Sequence, residues 1–148
     1  MTPDDLLTVR RSWTEIRRRR ASFVERLEAA LDSIAGPATA AAVHARQLIA
    51  AADELVDVLA TPSELATRAR AIVAAWPPEA ELPRLGVDEM AWRRAASEVS
   101  TSWSEADDLA WHHAWLLLAD VLAEESLTPF DAPSGARDVP PPPPTGSV

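Results

Sequence analysis

Three histidines, His44, His112 and His113, are the side chains best suited to metal or acid–base chemistry in a chain of 148 residues that has no cysteine and no tyrosine. Adjacent residues on a helix point about 100° apart, so His112 and His113 cannot share one metal the way an i, i+4 pair can. His44 stands alone, one helical turn from Ala40 and Leu48. It either faces a ligand or sits half-exposed as an ordinary surface histidine. The run Arg17-Arg18-Arg19-Arg20 is a local basic patch that could meet a phosphate or an acidic partner. Four consecutive residues fan around a helix, however, and a solvated face is the simpler expectation. Asp107-Asp108 and Glu124-Glu125 read as surface charge. No Gly-rich phosphate loop, Ser/His/Asp order, paired-carboxylate signature or metal-ligand spacing is present, so no residue carries a catalytic assignment and the chain is not expected to be an enzyme.

These residues are expected on helices. Thr2 can cap, Pro3 suits the first helical position and Asp4-Asp5 favour the positive end of the dipole. Leu6, Val9, Trp13, Ile16, Phe23, Leu27, Leu31 and Ile34 then keep a helical period, with a bend expected near Arg17 to Arg20 and a stop at Gly36-Pro37. A second helix is expected from about Ala38 to Leu59. Thr61-Pro62-Ser63-Glu64 has the form of a capping-box start for a third helix, which Pro77-Pro78 ends just after Trp76. Asp88 is expected to cap a fourth, and Ser104 to open a last one running to about Glu125. No strand signal appears, so the fold class is all-α.

The charge balance excludes one class of partner. At −9 net, with every basic residue an arginine, the chain is poorly suited to a polyanion, whose binding depends on neutralising phosphates. No nucleic acid is expected. The start MTPDDLL has no basic region followed by an apolar run, and no window reaches the roughly 20 apolar residues of a spanning helix. A cytoplasmic protein away from the membrane is the expectation. With 47% hydrophobic residues, one helical domain over residues 1–127 is expected to hold a full core. From Pro129 the composition turns to Pro, Gly, Ser and Asp, ending in Pro140 to Pro144, and residues 128–148 are expected to form a disordered tail. A protein partner could dock there as on a polyproline helix, and a homodimer is a further possibility.

The order of these segments resembles the bacterial globins, both the single-domain type and the haem domain of flavohaemoglobins. Val9-Arg10-Arg11-Ser12-Trp13 is similar to their first helix. Phe23, Arg26 and Leu27 match an F-Y-x-R-L-F pattern. Leu55-Val56-Asp57-Val58-Leu59 followed by Thr61-Pro62-Ser63-Glu64-Leu65 is similar to the end of their distal helix, and Gly86-Val87 to the pair that opens the next one. Trp103-Ser104, Trp111, Trp115 and Ala119 resemble a W-T…A-W-x-x-A-Y-x-x-L-A motif. Together these span Leu6 to Glu124.

The resemblance implies a globin-like helical sandwich around a haem that binds oxygen reversibly. Carried over by position, the distal residue is His44 and the proximal histidine falls at or beside Trp76. Two proximal-pocket tyrosines fall on Trp92 and Trp115, the distal tyrosine on Val24, the pocket glutamate on Ser126 and the haem-wedging phenylalanine near Gly36-Pro37. A single His113 would serve the iron only with the cofactor in an unfamiliar orientation. Indole nitrogen offers no lone pair to a metal, so haem is expected to be absent. Each indole brings on the order of 200 Å² of buriable surface, and Trp76, Trp92 and Trp115 turned inward would fill much of the porphyrin's volume. The alternative to the haem and oxygen-binding class is a haem-free helical module that regulates or binds a protein.

Overall fold

The first helix, α1 (Pro3–Arg18), begins with local chemistry. The Asp5 N–H donates to the Thr2 hydroxyl at 3.1 Å, and the Thr2 N–H donates back to the Asp5 carboxylate at 2.9 Å. Val9, Trp13 and Ile16 then fall on its buried face. At Arg19 the backbone leaves helical geometry, with φ −117° and ψ 37°. The single bent helix expected here is therefore two, and α2 (Arg20–Ala35) buries Phe23, Leu27 and Leu31. The computed structural model describes residues 1–35, 41–79 and 84–136, with side chains described no further than Ala123.

α3 (Ala41–Leu55) continues into a 3-10 turn at Val56–Val58. α4 (Pro62–Ala74) has Pro62 in its first turn as expected, but the Thr61 side chain makes no capping bond. Its carbonyl instead accepts the Leu65 N–H at 2.9 Å, the ordinary helical bond. α5 (Leu85–Val99) starts before Asp88, so Asp88 is not the residue outside the helix that caps it. It lies in the first turn, and its carboxylate reaches back to the Arg84 N–H at 2.9 Å. α6 (Glu105–Ala136) opens with Ser104 and Asp107 bonded reciprocally.

The backbone of α6 runs to Ala136, past Pro129 and Pro133. A proline removes one backbone donor and costs a helix about 3 kcal/mol, a penalty rather than a prohibition. Residues 137–148, with the Pro140 to Pro144 run, lie outside the described residues, as do Gly36 and Pro37. No strand occurs among the described residues. Among them, too, no helix is long and apolar enough to cross a membrane.

The broadest packing is α2 against α5 and α1 against α6, with α3 on α2 and α4 on α6. Where these helices meet, Trp92 is the hub. Its ring lies 4.9 Å from Phe23, 5.4 Å from Trp13, 5.5 Å from Trp111 and 6.0 Å from Trp115. Such spacings are the range in which aromatic pairs add to simple burial. The aromatic centre of the core thus comes from α1, α2, α5 and α6, and aliphatic side chains from all the helices pack around it.

Candidate functional site

His44 is buried on α3 at 6% exposure, neither half-exposed nor on the surface. Its Nε2 lies 2.9 Å from Asp88 Oδ1, and Asp88 is 2% exposed. The other carboxylate oxygen of Asp88 accepts the Arg84 N–H. One buried acid therefore holds the first turn of α3 to the start of α5. A polar group this deep is tolerated because it is hydrogen-bonded. His44 and Asp88 are 44 positions apart, so nothing local announces the pair.

Trp76 sits just past the end of α4, where its N–H donates to the Val73 carbonyl at 3.2 Å. The indole is half-buried. It meets the imidazole of His44 edge-on, with ring centroids 5.8 Å apart and planes at 67°. That is direct ring contact. No family model matches this sequence, and no curated protein or solved structure matches it either. The chemistry of the site is thus read from its own atoms.

Beside this contact lies a cavity of about 90 Å³, lined by apolar side chains of α3, α4, α5 and α6. Trp76, Trp92 and Trp115 all face it, so the structure brings these three positions together around one space, and His44 does not line it. Trp111 lines it too. Trp111 was not expected at the site, although a residue four before Trp115 on one helix must share its face. An unfilled space of this size forgoes packing worth on the order of 2 kcal/mol.

The remaining candidates are drawn into other networks. His112 Nδ1 meets the Glu89 carboxylate, and Arg93 bridges Glu89 and Asp108 between α5 and α6. The Arg93 hydrogen bonds hold the Asp108 carboxyl below its ordinary 3.8, while the two acids raise Arg93. His113 Nδ1 lies 3.0 Å from Asp5 on α1. Asp107 and Asp108 are therefore not free surface charge: Asp107 is 4% exposed and caps α6, and Asp108 is paired. The arginine run is divided as well. Arg17 and Arg20 reach Asp53, whereas Arg19 donates to the Val99 carbonyl at 3.2 Å. Among the described residues, no three His, Cys, Asp or Glu side chains are grouped to hold a metal ion.

Proposed function

We propose that this chain is a haem-free, globin-like helical module that works by regulation or protein binding, descended from the haem and oxygen-binding class its sequence resembles. The contact between His44 and Trp76 carries this reading. The resemblance places these residues on opposite sides of a haem, and here their rings touch at 5.8 Å. No gap for a porphyrin separates them.

The residues present do not fit the cofactor in other respects. Trp76 has no lone pair for iron, and His44 Nε2 is engaged by Asp88. The cavity of about 90 Å³ is smaller than the roughly 150 Å³ void known to admit a single benzene ring. The globin-like part is supported by where this cavity lies. It is bounded by α3 and α4, the helices that the resemblance assigns to the distal and proximal sides. The module part is supported by outward apolar side chains. Leu109 and Leu116, seven residues apart on α6, are 53% and 48% exposed, and Met90 on α5 is 58% exposed.

Protein expressed with haem precursors supplied is expected to purify without a Soret band. Trp76→His supplies the proximal ligand type and opens space beside His44, so it is the variant in which weak haem uptake is expected first. A stoichiometric Soret band in the unaltered protein would overturn the haem-free reading.

A further inference from the structure

We infer that the outward face of α6 is the docking surface for a basic helix of a protein partner, one that carries two apolar side chains seven residues apart with a lysine or arginine beyond each. This role rests on the reading of the chain as a haem-free, protein-binding module, and it names the partner's chemistry.

Leu109 and Leu116 are 53% and 48% exposed, and seven residues on a helix return almost to the same direction. The imidazoles between them turn aside, His113 to Asp5 on α1 and His112 to Glu89 on α5. The two leucines are left as an apolar seam with polar borders, the kind of surface that a second helix covers. Four residues outside each leucine stands an exposed acid, Glu105 before Leu109 and Asp120 after Leu116. All four side chains lie within about 60° of one another around the helix and span about 22 Å along it. Among the described residues, neither acid is paired with a cation. The arginines bordering the seam are already engaged, Arg93 with Glu89 and Asp108 and Arg11 with Asp107.

This charge pattern selects the occupant. In a second copy docked antiparallel, Leu109 against Leu116 brings Glu105 against Asp120 at both ends, and parallel docking sets each acid against itself. Like charges in register oppose either pairing. The end of the chain is no better suited, since residues 137–148 carry one arginine and one aspartate and so no excess of positive charge. A phosphate-bearing surface is repelled by the same acids, on a chain of net charge −9. A helix with two apolar side chains at the matching interval, and a cation four residues outside each, satisfies all four positions at once. A seam of two leucines suits a transient contact rather than an obligate one.

The probe is a synthetic peptide of about 20 residues, long enough to be helical, built on alanine and glutamine with two leucines seven apart and a lysine four residues outside each. Titrated into the full chain at low salt, it should saturate and shift the Leu109 and Leu116 methyls while the Leu27 methyls stay in place. The same peptide with glutamate for lysine should bind about tenfold more weakly, a gap that closes as salt screens the charges. Leu116→Gln, at an exposed position, should weaken the lysine peptide about tenfold. Glu105→Lys combined with Asp120→Lys should reverse the preference, and this gain keeps the test decisive even if the leucine variant fails to fold. Equal binding of the two peptides, an unchanged affinity in Leu116→Gln, or a preference that survives the charge reversal overturns the docking face. So does sedimentation of the unaltered chain as a dimer that Leu116→Gln dissociates, because the face would then belong to a second copy. Failure of the lysine peptide to saturate, in protein that purifies without a Soret band, rejects this face and leaves the haem-free reading standing. A stoichiometric Soret band removes that reading and the docking role with it.

Discussion

Asp88 accepts from two directions, His44 on one side and the Arg84 N–H on the other, in a site almost closed to water. Asp88→Ala leaves the buried His44 and the Arg84 N–H without this acceptor and is expected to cost about 2 to 4 kcal/mol in urea denaturation. A loss below about 1 kcal/mol would show that the pair does not organise the core. Trp92→Ala should cost about 3 to 5 kcal/mol, since Trp92 is 1% exposed and touches four aromatic rings. Trp76→Ala should cost less, because Trp76 is only half-buried; equal losses would contradict that ranking. The types of these residues were informative before any coordinates. Indoles at helical spacing had to be buried somewhere, and a lone histidine could be core or ligand. What the sequence could not reveal was the Asp88 partnership. An aspartate near a helix start serves equally as an outside cap or as an acceptor inside the first turn, and only the distant histidine decides between them.

At the level of helices, the junctions are held by side chains far away in sequence. Glu15 on α1 accepts the Thr101 N–H at 3.0 Å and the Ser102 hydroxyl at 2.9 Å, tying α1 to the turn between α5 and α6. The Thr101 N–H, followed by the serine and threonine hydroxyls, holds the Glu15 carboxyl below its ordinary 4.5. Asp5 is lowered from 3.8 chiefly by the Thr2 N–H, and Asp108 by Arg93. Carboxyls depressed on folding contribute stability that is fully present above their unfolded values and is lost as pH falls through their folded ones. Thermal unfolding followed from about pH 7 to about pH 3 should therefore show melting temperature falling only at the acid end. Glu15→Gln should lower the plateau and shallow that fall; an unchanged acid limb would mean the turn is not held through this carboxylate. Two helix starts were legible because capping is local, Thr2 with Asp5 and Ser104 with Asp107, whereas Thr61 forms no side-chain cap and Asp88 lies inside the first turn of α5. The break at Arg19 showed only as an expected bend, because its cause is the packing of α1 and α2 on different partners. The end of α6 near Glu125 was read from where the apolar period fades, and the helical backbone continues past it to Ala136.

Across the whole molecule, the centre of the helical domain is occupied by its own aromatic side chains. The apolar periodicity made the all-α class legible, while the contact of Trp76 with His44 depended on helix packing that no spacing encodes. The two positions that the sequence resemblance would set on either side of a haem, His44 and Trp76, lie against one another here. The most direct measurement is a nuclear Overhauser spectrum of the full chain in solution, without added haem, resolving the imidazole protons of His44 and the indole protons of Trp76. Rings with centroids 5.8 Å apart should give strong cross-peaks between the two, and these should persist when haem is added. Absent cross-peaks, or their disappearance on addition of haem with a Soret band rising to one equivalent, would contradict the closed core.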